Sequence, residues 1–84
     1  MALHEDVEQI ETREDFAAFV ELLGRNYDRN PEAWENGDLK SFLEALSAWI
    51  ADMPGYFANR GLDPADVPVW RLFGMMLLAA RSYE

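Results

Sequence analysis

His4 is the only histidine of the chain, and Glu8 stands four residues beyond it. That spacing places both side chains on one face of a short helix. Two such ligands could begin a zinc site, but the sequence supplies no second histidine and no cysteine to complete a tetrahedral set. A solvated histidine is the simpler reading. Serine chemistry fares no better, because Ser41, Ser47 and Ser82 have only His4 as a histidine base, and a triad needs its base held against the nucleophile. The five glycines are scattered, so no glycine-rich phosphate loop is present. Asp63-Pro64-Ala65-Asp66 is too sparse for a calcium loop. No catalytic residue, metal or cofactor is assigned, and the chain reads as non-enzymatic.

Residues suited to contact are easier to find. The candidate interaction set is Trp34, Glu35, Asn36, Asp52, Tyr56 and Asn59. Trp34 is expected to be a core lid, since tryptophan buries a large area. Asn36, before Gly37, is expected in a turn where its side chain tolerates left-handed geometry. Asp52 falls at the C-terminal end of an expected helix, where a negative charge opposes the helix dipole. Its compensation is expected from backbone N–H groups of the Pro54-Gly55-Tyr56 turn, or from Arg60 or Arg71; the functional alternative is a polar contact at the rim of an aromatic pocket. Tyr56 and Phe57, beside Asn59, are either core or a partly exposed aromatic anchor.

The elements that carry these residues have helical rather than alternating apolar spacing. Leu3, Val7 and Ile10 mark a short first helix to about Gln9. Thr12, with Asp15 three residues on, signals a capped helix start. The helix it opens runs to about Arg29 with the stripe Phe16, Phe19, Val20, Leu23 and Tyr27, and Glu21–Arg25 adds a four-residue ion pair. Asn30-Pro31 restarts a turn that Asn36-Gly37 ends. Asp38 then caps a helix from Leu39 to about Asp52, whose expected buried stripe is Leu39, Phe42, Leu43, Leu46, Trp49, Ile50 and Met53. Lys40, Ser41, Glu44 and Ser47 are expected to face water. Pro54 is expected to stop that helix, with one further turn to Arg60 and Gly61 as a left-handed stop. The last helix starts at Pro68, with Trp70, Phe73, Leu77 and Ala80 on one face. It is apolar nearly all round, which predicts a central position or a homodimer interface through Met75 and Leu78. The fold class is all-α: a small bundle of three main helices with a short N-terminal helix and short helical turns. One domain spans 1–84, with residues 1–11 expected as a loosely attached element.

Composition sets the partner class. Half of the 84 residues are hydrophobic, with three Trp, five Phe and three Tyr, enough for a core without disulfides. The net charge is −9. Residues 1–40 hold 11 acidic and 4 basic side chains, and residues 41–84 hold 5 and 3. That field repels nucleic acid and anionic lipid and favours a basic protein surface. The start of the chain turns acidic at once, unlike an export signal. Its longest apolar stretch, Leu72 to Ala80, is far short of the ~18 residues of a membrane span. A soluble, cytoplasmic protein is expected.

The ordered string Trp34-Glu35-Asn36, Phe42-Leu43-Glu44-Ala45, Trp49 with Asp52-Met53 and Gly55-Tyr56, Asn59, Trp70-Arg71-Leu72-Phe73, Leu78-Ala79-Ala80 and Tyr83-Glu84 is distinctive. Over roughly Phe16 to Glu84 it resembles an uncharacterised family of small acidic bacterial proteins, catalogued only as a domain of unknown function. The resemblance implies a bacterial cytoplasmic origin and carries no activity. Gly74 departs from the helix-favouring residue expected there, which suggests close backbone packing.

Three functions remain open. The first is a non-enzymatic, acidic protein-interaction domain, with an immunity-like masking of a basic toxin as its specific form. The second is a small-molecule-binding or enzymatic domain with a pocket around Trp34, Asp52 and Tyr56. The third is a homo-oligomerisation domain. The helix with Trp49 in mid-stripe and the final helix, whose stripe begins with Trp70 and Phe73, are expected to pack together, with the Phe16–Tyr27 face closing the core.

Overall fold

The computed structural model describes residues 3–83, which form four α-helices and, among the described residues, no strand. They are α1 (Leu3–Glu8), α2 (Arg13–Arg29), α3 (Leu39–Asn59) and α4 (Val69–Ala80), with single 3₁₀ turns at Pro31–Ala33 and Pro64–Asp66. The fold is all-α, a small bundle. No helix among the described residues is long and apolar enough to cross a membrane.

Local chemistry sets most of the boundaries. Thr12 Oγ1 accepts the Asp15 N–H at 3.1 Å, and the Asp15 carboxylate accepts the Thr12 N–H at 3.2 Å, which closes a capping box at the start of α2. Asp38 opens α3 by accepting the Ser41 N–H and hydroxyl, both at 2.8 Å. Gly61 ends α3 with φ +66°, while the N–H groups of Gly61 and Leu62 donate to Ala58 and Phe57. This is a Schellman stop, and the left-handed residue it requires is glycine.

Pro54 does not stop α3. The helix runs through it to Asn59. A proline removes one N–H from the ladder and crowds the carbonyl four residues back. Here the turns on either side are anchored: Trp49 and Phe57 are both buried, and the Trp49 and Tyr56 rings meet across the proline at 5.4 Å. Burial of those aromatics outweighs one lost hydrogen bond.

The core is centred on α4, which packs against α1, α2 and α3. Val7, Ile10, Phe19, Leu23 and Leu78 form its buried cluster. At its centre is Gly74, where an added Cβ would lie 2.5 Å from Ile10 Cδ1 and 3.0 Å from Val7 Cγ2. The absent side chain lets α1 seat directly on α4. Val7 and Ile10 are buried there, with Ile10 only 1% exposed.

The helices that carry Trp49 and Trp70, α3 and α4, pack together as expected, and Phe16 of α2 closes over Trp70 and Phe73 at 5.8 and 6.0 Å between centroids. Two expectations change with this geometry. Leu78 is buried and Met75 packs against the same cluster, so the face expected to drive a homodimer is covered within one chain. Leu39, Leu43 and Ile50, placed in the buried stripe of α3, are exposed, and Ala45 and Phe57 are buried instead. The helix is rolled so that Ala45, Trp49 and Phe57 point inward.

Candidate functional site

The exposed leucine at the start of α3 borders a cavity. Val20, Leu23 and Tyr27 from α2 form one wall, Leu39 and Phe42 from α3 the other, and Trp34 lies between them. The groove has a volume of about 410 Å³, and Leu77 of α4 contributes to its lining. Trp34 is fixed from several directions. Its ring stacks on Phe42 at 5.8 Å and takes the edge of Tyr27 at 5.2 Å. Its indole N–H donates to Asn26 Oδ1 at 2.6 Å, which satisfies the one polar atom of a half-buried ring. The Arg81 guanidinium lies 5.8 Å from the ring centroid.

Asn36 also lines the groove, but its side chain is committed elsewhere. Its amide donates to the carbonyls of Ala80 at 3.0 Å and Tyr83 at 2.8 Å, and its backbone N–H donates to Arg81 O at 2.9 Å. Asn36 thus ties down carbonyls that the end of α4 leaves without helical partners. It is not left-handed: among the described residues only Gly61 has positive φ. Asp38 sits on the groove wall, and the Ser41 N–H and hydroxyl bonded to it hold its carboxyl below the ordinary carboxylate value. Glu35 is exposed beside Trp34.

Asp52 and Tyr56 lie apart from this groove. Asp52 is interior to α3, so the opposing helix dipole is not its environment. Its partner is neither the expected turn backbone nor an arginine, but the Tyr83 hydroxyl, which donates to Asp52 Oδ2. That bond raises the Tyr83 pKa. Tyr56 lines a second cavity, between α1, the end of α3 and α4, and Arg60 stacks 4.0 Å over its ring. Asn59 is exposed at the last position of α3. Trp34 and Tyr56 therefore line different cavities and Asp52 lines neither. The pocket expected around the three is not formed, because continuing α3 through Pro54 carries Tyr56 away on another face.

Sequence reasoning missed two groups of residues. Val20 and Leu39 were read as core, since helical spacing cannot tell a stripe facing a neighbour from one facing an open groove. Arg60, Arg71 and Arg81, which line the second cavity, gave one faint signal: they are the only basic residues after Lys40.

The fold and its cavities define a small, acidic, all-helical domain with an apolar groove on one side and an arginine-lined cavity on another. The chain belongs to the Family of unknown function (DUF7660), whose sequence model matches residues 12–84. No curated protein and no solved structure matches it.

Proposed function

We propose that the protein is a non-enzymatic interaction domain whose groove beside Trp34 receives a basic, amphipathic helix of a protein partner. The observation that carries this reading is the exposure of Val20, Tyr27 and Leu39 around one apolar concavity floored by the Trp34–Phe42 stack. Apolar side chains gathered around a groove mark interaction surfaces. A helix lays its apolar ridge into such a groove through anchors at three- and four-residue spacing. Charge supplies the second half of the argument. Residues 1–40, which provide most of the lining, carry 11 acidic and 4 basic side chains. A negative field of this kind speeds encounter with a basic partner and weakens as salt rises. Masking of a basic toxin surface in a bacterial cytoplasm is the most specific form of the proposal.

The test uses a synthetic amphipathic helix of leucine and lysine, followed by tryptophan fluorescence. Saturable binding at low salt is expected to weaken at high salt. Leu39 is 73% exposed, so Leu39→Asp leaves the core intact. Combined with Val20→Asp it is expected to weaken binding by about tenfold or more. Unchanged affinity in that double variant would defeat the groove as the docking site. In a pull-down from the host, a partner retained equally by wild type and double variant would count against it in the same way.

A further inference from the structure

The second cavity holds the charge that the groove lacks. It has a volume of about 430 Å³ and an apolar wall of Trp49, Tyr56, Met75 and Leu78. Its polar wall carries Arg60, Arg71 and Arg81, which are all the basic residues of the second half of the chain. Only one carboxylate, Glu8, joins them in the lining. With His4 neutral, three guanidiniums against one carboxylate leave this surface two charges positive, in a chain whose net charge is −9.

A cation that merely balanced nearby acids would sit in ion pairs. Among the described residues the ion pairs are Arg13–Glu14 and Arg25–Glu21, and none involves these three arginines. Neutral groups hold them instead. Arg60 lies over the Tyr56 ring. Arg71 donates through Nε to the Ile10 carbonyl at 3.1 Å, and Arg81 donates through Nη1 to Asn26 Oδ1 at 3.2 Å. Among the described residues the Arg81 Nε is buried without a partner, and burial lowers that side chain's pKa. A guanidinium has five N–H donors, so Arg60 over its ring and Arg71 with one bond keep most of each fork for an anion, while Arg81 is held by Asn26 Oδ1 beside the Trp34 ring.

We propose that this cavity binds a phosphate monoester carried on a compact aromatic or apolar body. Arginine forks match phosphate oxygens in pairs, with geometry that a point charge lacks. A phosphate monoester near neutral pH carries about −1.5 to −2 charges, which matches the excess of two on the lining. The cavity volume falls within the range of small-ligand sites, and the wall of Trp49, Tyr56, Met75 and Leu78 receives the body. Its lining shares no residue with that of the Trp34 groove, and the proposal does not depend on a helix docking there.

Calorimetric titration with phenyl phosphate tests it, with inorganic phosphate, phenol and benzoate as comparison ligands. Phenyl phosphate is expected to bind saturably at one site, about tenfold or more tighter than each of the three. Arg60→Gln is the informative variant, because Arg60 is exposed and its described contact is the Tyr56 ring. It is expected to weaken phenyl phosphate about tenfold, while Arg29→Gln on the exposed end of α2 leaves affinity unchanged. Circular dichroism of each variant confirms that the helices are retained. No saturable binding of phenyl phosphate, equal binding of benzoate, or equal losses in the two variants would each overturn the proposal.

Discussion

Asp52 shares a hydrogen bond with Tyr83, whereas Asp15 and Asp38 accept bonds from helix starts, and the two arrangements respond to pH in opposite directions. The Tyr83 hydroxyl donates to Asp52, and a phenolate there would face a carboxylate, so its pKa is raised above the usual 10. A raised pKa contributes stability that is complete below the unfolded value and is lost as pH climbs through the folded one. Tyr83→Phe is therefore expected to lower the denaturation midpoint at neutral pH and to converge with wild type above about pH 10. Parallel midpoint curves up to high pH would mean that the bond contributes nothing. The caps behave inversely. Asp15, chiefly through the Glu11 N–H, and Asp38, through the Ser41 N–H, have lowered pKa values. Their contribution is present above the unfolded carboxylate value, about 3.9, and disappears as pH falls through the folded one. Asparagine also caps helices but does not titrate, so Asp38→Asn should lose less stability than wild type between pH 7 and acid, measured by urea midpoints. These caps were legible in the sequence because donor and acceptor lie three or four residues apart. The Asp52–Tyr83 bond spans 31 residues and the Asn36 bonds span 44 and 47, distances over which residue type gives no pairing signal.

Pro54 and Gly74 are the two helix positions where propensity and packing pull apart. Both residues weaken helices, proline by about 3 kcal/mol and glycine by about 1 kcal/mol relative to alanine. Pro54 is exposed inside α3, so nothing but its own ring argues for it. Pro54→Ala restores an N–H that can donate to the Ile50 carbonyl, and a gain of about 1–3 kcal/mol is expected. A lower midpoint in chemical denaturation would show that a proline-induced bend is needed to seat Phe57. Gly74 goes the other way. The space of its missing Cβ is filled by Ile10 and Val7, both buried. Overpacking costs about 1–3 kcal/mol, against which alanine's helical advantage of about 1 kcal/mol is the smaller effect. Gly74→Ala should thus destabilise, and Ile10→Val should relieve the penalty by removing the methyl that clashes. If Gly74→Ala costs the same in both backgrounds, the contact with Ile10 is not its cause. The sequence marked Gly74 as a departure but read Pro54 as a stop, and only the long-range packing decides which rule gives way at each.

Across the molecule, the order and number of helices were readable from spacing, caps and breaks, because those signals are local. The rotation of each helix about its axis was not. On α3 the apolar residues cover more than one face, so periodicity alone could not separate the core face from the groove face. Trp49 tests the assignment the structure makes. It is 6% exposed, pairs with Tyr56 and belongs with Ala45 and Phe57 to the inward side of α3. Removing such a side chain costs about 3–5 kcal/mol in lost transfer energy and cavity formation. A chain of 84 residues has a total stability of only about 4–12 kcal/mol. Trp49→Ala should therefore be largely unfolded on modest heating. Glu44 adjoins Ala45 but is exposed, so Glu44→Ala should shift the denaturation midpoint little. Leu43, assigned to the core by spacing alone, separates the two orientations: at 51% exposure, Leu43→Ala should cost far less than the 2–5 kcal/mol typical of a buried leucine. A loss at Leu43 as large as that at Trp49 would mean that α3 faces the bundle with the stripe its spacing suggests, and that the groove beside Trp34 is closed.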